Sequence, residues 1–215
     1  MNTRIFKLTA ISSILMGAIA AHAAAPTADL TVKGTIGAPT CTVTTSNNGI
    51  YDFGRIAGTT IKAGTDTTSL AAISQPWTVT CDAATYLTFG AVDNRATSAS
   101  STATGSFGLG NVNGTGKLGY YTVTMNTPTV DGAAAYTYYT NEKTITGAAA
   151  SARVYGGAYK NGWTASGTNT QKAGSVFGAN LSVTPTLAGT TTMNGTVTDD
   201  TSLDGSLTLN FAFGL

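Results

Sequence analysis

Histidine is nearly absent from this chain: the 215 residues contain one, His22. Beyond that position the usual base for a serine nucleophile is missing, however many Ser and Thr the chain carries. Cysteine is limited to Cys41 and Cys81. They lack both a CxxC spacing and histidine neighbours, which argues against a zinc cluster and a redox pair alike. Charge is scarce, at 10% of residues. Nucleic-acid binding normally needs a basic face, and 11 basic residues against 10 acidic ones do not supply it. The carboxylates are scattered. Asp93 and Glu142 show no pairing for acid–base work, and Asp199, Asp200 and Asp204 lack the oxygen-rich loop spacing of a calcium site. Gly108-Leu-Gly110 and Gly114-Thr-Gly116 open no helix after a strand, so they read as turn glycines rather than phosphate cradles. The expectation is a protein that is not an enzyme and needs no cofactor or metal.

Long apolar runs are lacking too, with one exception at the start. Arg4 and Lys7 precede the apolar stretch Leu8 to Ala20, and Ala21-His22-Ala23 follows with small residues at the two positions a signal peptidase reads. This is the three-part layout of a secretory signal. A bilayer-spanning helix needs about 20 apolar residues, more than this run offers. The expected organisation is therefore a signal peptide over residues 1–23, removed on export. With it go His22, Arg4 and Lys7, leaving nine basic and ten acidic residues. No membrane span is expected after cleavage.

What the chain has in abundance is Gly, Thr, Ser, Asn and Ala, arranged in short alternating segments between turn residues. That is the pattern of an all-β sandwich, and threonine at alternate positions suits a half-solvated strand. Strands are predicted around Cys41–Thr45, Ile50–Phe53, Pro76–Asp82, Tyr86–Val92, Leu118–Met125, Ala135–Thr140, Ser151–Tyr155 and Ser175–Leu187. The second pair, on either side of Asp82-Ala83-Ala84, reads as neighbours joined by a tight turn. Arg95 to Ser106 reads as a mobile loop, and Asn161-Gly162 as a loop signal. In an exported protein, an even cysteine count reads as a disulfide, here Cys41–Cys81.

Two segments have the clearest patterning. In the last strand, Leu207, Leu209, Phe211 and Phe213 point one way, while Ser206, Thr208, Asn210 and Ala212 point the other. Near the start, Ala28, Leu30, Val32, Gly34 and Ile36 share one face of Ala28–Ile36, with Asp29, Thr31, Lys33 and Thr35 opposite. A third feature is compositional. Tyr136, Tyr138, Tyr139, Tyr155, Tyr159 and Trp163 crowd into a short stretch, and Tyr159 and Trp163 are candidate ligand aromatics, weighed against a core role.

The order of these features resembles a known family. Ala28–Cys41 (ADLTVKGTIGAPTC), Trp77–Asp82 (WTVTCD), Val92–Arg95 (VDNR), Phe107–Gly110 with Leu118–Thr124 (FGLG…LGYYTVT) and Asp204–Phe213 (DGSLTLNFAF) look like a subunit of chaperone–usher fimbriae, the pilins of Gram-negative bacteria. They are closest to the β-fimbria-like group of largely unknown function. The resemblance implies an immunoglobulin-like β-sandwich over residues 37–215 that lacks its last strand. It also implies an N-terminal donor-strand extension over 24–36 that completes the neighbouring subunit. Ala28, Leu30, Val32, Gly34 and Ile36 would then enter a neighbour's groove, with Gly34 at its shallow point and Ile36 where exchange begins. Leu207, Leu209, Phe211 and Phe213 would line the groove that a chaperone fills first. The implied partners are a periplasmic chaperone, an outer-membrane usher and neighbouring fimbrial subunits, and the implied destination is a cell-surface fimbrium. The chain departs from common major pilins in ending Phe213-Gly214-Leu215 and in its extra length over 95–175. The rival expectation is a self-complemented sandwich that binds a carbohydrate or protein ligand.

Overall fold

A computed structural model of the chain describes residues 26–214, so the expected signal peptide over 1–23 lies outside the described residues. The chain forms two units that meet between Gly37 and Ala38. Residues 26–37 carry no regular secondary structure, and their side chains, including Leu30, Val32 and Ile36, are exposed.

From Ala38 onward, alternation in sequence becomes strands. In chain order these are β1 (Cys41–Thr45), β2 (Thr68–Ser69), β3 (Ile73–Thr85), β4 (Leu87–Asp93), β5 (Phe107–Gly108), β6 (Asn111–Val112) and β7 (Gly116–Lys117). Then come β8 (Gly119–Val130), β9 (Ala133–Thr140), β10 (Ser151–Arg153), β11 (Lys160–Ala165), β12 (Gly174–Leu187) and β13 (Leu207–Phe213). Among the described residues the only helices are three short 3-10 turns, so none is long and apolar enough to cross a membrane. The fold is an all-β sandwich made from one curled antiparallel sheet, with β6 and β7 forming a separate two-stranded ribbon. One layer runs β1-β3-β12-β8, with β5 and β10 beyond β8; the other runs β9-β11-β4-β13. The β8–β9 hairpin joins them. The two layers close over Val79, Leu87, Phe89, Val123, Met125, Trp163, Phe177 and Leu181, all buried.

Several expectations need correcting. Ile50–Phe53 is not a strand. The segments around Trp77 and Phe89 are not neighbours: β3 pairs with β1 and β12, while β4 pairs with β11 and β13. Asp82 makes no turn because its backbone N–H donates to Thr40 O at 3.0 Å, so β3 continues and the chain changes layer near Tyr86. Arg95–Ser106, expected as a loop, is tied into the sandwich at Arg95 and Ser98, while residues 102–104 stay exposed. Ser98 is buried and its hydroxyl accepts the Gly110 N–H at 2.9 Å. Arg95 holds Asp204 through two bonds of 2.7 and 3.1 Å. The extra length over 95–175 is no appendage, since it supplies β8, β9 and β11.

The largest miss is β11. Asn161 and Gly162 suggest a loop, yet they lie in a strand between β9 and β4. Asn161 is buried, and its amide donates to Tyr155 O (2.9 Å) and Phe89 O (3.3 Å) while accepting from Tyr155 N (3.0 Å). Gly162 leaves room for its neighbour: a Cβ there would stand 2.9 Å from the Tyr138 ring and 3.0 Å from Leu87 O. Turn-forming residue types are used here as strand residues because their small size and side-chain amide serve packing.

Candidate functional site: an open seam between β1 and β13

The curled sheet does not close. Its ends are β1 and β13, and each has a pairing partner on one side only. The hydrogen-bond phase fixes which backbone groups remain free. Gly214 N donates to Tyr86 O (2.7 Å) and Asn94 N to Ser206 O (3.0 Å). In an antiparallel ladder every second residue bonds the same neighbour, so the even-numbered residues of β13 bond β4. The N–H and C=O groups of Leu207, Leu209, Phe211 and Phe213 therefore point to the open side. On β1 the bond from Asp82 N to Thr40 O sets the same phase. Cys41, Val43 and Thr45 turn their backbone groups away from β3, toward the same gap.

The disulfide Cys41–Cys81 lies at this rim and ties β1 to β3, whose residues 41 and 81 are cross-strand partners. After β1 the chain turns through Asn47, Asn48 and Gly49, all with positive φ. Gly49 fits because a Cβ there would stand 3.3 Å from the Trp77 ring, and its φ of 76° suits glycine. The turn lays Ile50–Ala57 along the cleft in place of a strand. Trp77 Nε1 donates to Tyr51 Oη, which donates in turn to Leu181 O, both at 3.0 Å. Burial raises the Tyr51 pKa, with the Trp77 bond opposing it. Gln75 Nε2 holds Ile50 O at 2.7 Å.

Between this segment and β13 lies an apolar cleft of about 350 Å³, lined by Tyr51, Phe53, Tyr121, Leu181, Leu207 and Leu209 among others. It continues past Leu203 into a wider, more polar opening of about 820 Å³ bounded by Ile56, Ile61 and Val197. At the other end, Trp77, Val79, Leu209 and Phe211 leave only about 10 Å³. The cleft is thus deep in the middle and shallow beside Phe211. Leu207, Leu209 and Phe211 are half-buried, and Phe213 is exposed.

The structure brings together Cys41, Cys81, Leu207, Leu209 and Phe211 at one seam. Ala28, Leu30, Val32, Gly34 and Ile36 lie in the other unit. The aromatic candidates separate. Trp163 is a core residue, 4% exposed, packed between Phe89 and Phe177, with its indole N–H donating to Gly178 O at 3.0 Å. It is not a surface aromatic, because it faces the inside of the sandwich from β11. Tyr159 is half-buried against Tyr139 and Tyr155. Sequence reasoning missed the cleft wall at Tyr51 and Phe53. Their spacing at alternate positions was visible, but it read as a paired strand.

A family model described as a protein of unknown function (DUF1120) matches residues 30–116. No curated protein and no solved structure matches the chain. Over the matched residues, from the alternating extension through the disulfide and the cleft wall, the chain is similar to that family.

Proposed function

We propose that this chain is a structural subunit of a surface fimbria, assembled by donor-strand exchange through the seam between β1 and β13. The observation that carries this reading is the open edge of β13. Four residues there direct their backbone groups into a gap floored by apolar side chains. Unpaired strand edges are templates for pairing with another chain, and added strands gain affinity from the backbone and specificity from pockets for alternate side chains. The occupant is the segment Ala28–Ile36 of a neighbouring subunit. Its five alternate small or apolar residues match a cleft that runs from Phe213 past Leu203. Burying side chains the size of Leu30, Val32 and Ile36 stabilises by about 1.5–3 kcal/mol each. Export through the periplasm, with a chaperone filling the seam before the neighbour does and an outer-membrane usher beyond it, completes the reading.

The test is to delete residues 24–35 and follow fibre formation and folding with a chaperone. The truncated chain is expected to fold, to stop donating a strand, and to bind a synthetic peptide of residues 26–37 with a rise in Tm. Intact fibre formation by the truncated chain would falsify the assembly role of this segment. A stable full-length monomer that ignores the added peptide would point to a self-complemented sandwich.

A further inference from the structure

The sandwich has a second seam, where β8 and β10 of one layer meet β9 of the other. Here β8 and β9 pair only through Thr129–Ala134 and Val130–Ala133 before they diverge. Three tyrosines gather across the divergence: Tyr139 in β9, Tyr155 just after β10, and Tyr159 just before β11. The ring centroids of Tyr139 and Tyr155 are 4.2 Å apart, those of Tyr155 and Tyr159 5.3 Å, and those of Tyr139 and Tyr159 6.0 Å. Aromatic pairs usually sit about 4.5–7 Å apart, so the first pair is unusually close.

We infer that Tyr139 and Tyr155 are a site of oxidative tyrosine coupling, at which a one-electron oxidant joins the two rings into a dityrosine that ties β9 to the connection between β10 and β11. Three observations support this besides the distance. Tyr139 is 39% exposed, so an oxidant in solution can reach it. Tyr155 is held in place, because buried Asn161 bonds both its N–H and its C=O. Competing sinks are few: no free cysteine exists among the described residues, Met125, Met193 and Trp163 are buried, and the partly buried Trp77 has its indole N–H bonded to Tyr51 Oη. Tyr86 is more exposed than Tyr139, but among the described residues it belongs to none of the aromatic pairs.

The chemistry balances with a peroxide as oxidant and a haem peroxidase as catalyst. Each phenol gives up one electron and its hydroxyl proton. The two phenoxyl radicals form one carbon–carbon bond between ring positions ortho to the oxygens. The hydrogens displaced from those carbons return to the oxygens, restoring both phenols. The peptide pair has lost two hydrogen atoms, and one hydrogen peroxide has become two waters. The coupling does not depend on what fills the open seam.

The experiment is to treat dilute folded protein with a haem peroxidase and hydrogen peroxide, isolate the monomer, and map cross-linked peptides by mass spectrometry. The expected result is dityrosine fluorescence in the monomer and a dominant cross-link between Tyr139 and Tyr155. Tyr139→Phe should reduce monomer fluorescence at least tenfold, while Tyr159→Phe leaves it. Mapping on the unsubstituted protein keeps the test independent of whether a variant folds. Monomer dityrosine that maps elsewhere, that persists in Tyr139→Phe, or that forms equally in denaturant would overturn the assignment, as would its absence.

Discussion

Val43 and Val79 stand directly opposite one another on β1 and β3, yet Val79 is 2% exposed and Val43 is 45% exposed. Cross-strand partners share a face of the sheet, so their side chains point to the same interior. The difference is position. Val79 lies under both layers, and Val43 lies at the lip of the seam where no further strand covers it.

This asymmetry gives the first expectation. Val79→Ala should lower the stability of the isolated chain by roughly 1.5 kcal/mol, the worth of two buried carbons at about 0.8 kcal/mol each. Val43→Ala should cost well under half of that. With the seam filled by an added peptide of residues 26–37, as the proposed function requires, the gap between the two should narrow, as read by denaturant midpoints with and without the peptide. Equal effects in the monomer would contradict an open seam.

The two candidate aromatics should part company. Trp163→Ala removes a ring packed on Phe89 and Phe177 and the indole bond to Gly178 O, so a loss of about 3–5 kcal/mol is expected. Tyr159→Ala should cost far less and leave the fold intact by circular dichroism.

Asn161 should tolerate neither truncation nor replacement by its charged isostere. Asn161→Ala leaves the backbone N–H and C=O of Tyr155 without the side-chain partners they have now, and each buried unsatisfied group costs about 1–3 kcal/mol. Asn161→Asp places a carboxylate against two carbonyl oxygens. Its deficit should be largest at neutral pH and shrink as acid protonates the new side chain, which a series of urea melts would show.

Removing the cross-link by substituting both cysteines with alanine should lower stability by about 4 kcal/mol in the chain-entropy account, for a sequence separation of 40. Chemical denaturation of oxidised wild type against the double variant measures it.

Alkaline pH should weaken the fold. Burial pushes the Tyr138 phenol up to about 12, with the hydrogen bond from Gln171 opposing it. Burial, reinforced by Asp93, raises Tyr121 as well. A tyrosine in the unfolded chain titrates near 10. Between about 10 and 12 the folded state therefore holds more protons than the unfolded state, and stability falls as pH rises through that window. Below it the stabilisation is complete. Tyr138→Phe should flatten part of the slope in melts between pH 9 and about 12.

Much of this was legible in the chain. Strict alternation in Leu207–Phe213 specified a strand with one apolar face, because a period of two admits no other regular structure. Cys41 and Cys81, the chain's two cysteines, were expected to pair, and they do. Where the sequence misled, a local signal had a non-local use. Asn161-Gly162 has the chemistry of a turn, but the amide is spent on Tyr155 and Phe89 and the missing side chain on Tyr138. Pro76–Asp82 and Tyr86–Val92 looked like a hairpin, since nothing local distinguishes a tight turn from a step between layers.

The amino-acid order by itself determined that this protein is made of strands, which faces of those strands are apolar, and which cysteines bond. Those properties follow from side-chain alternation and composition, which act over a few residues. Only the tertiary structure decided that β1 and β13 are the two unpaired ends of one curled sheet, that Tyr51 and Phe53 line a cleft between them, and that Trp163 belongs to the core. Strand order depends on contacts between residues far apart in the chain, and the same alternating face can serve an edge or a centre equally well.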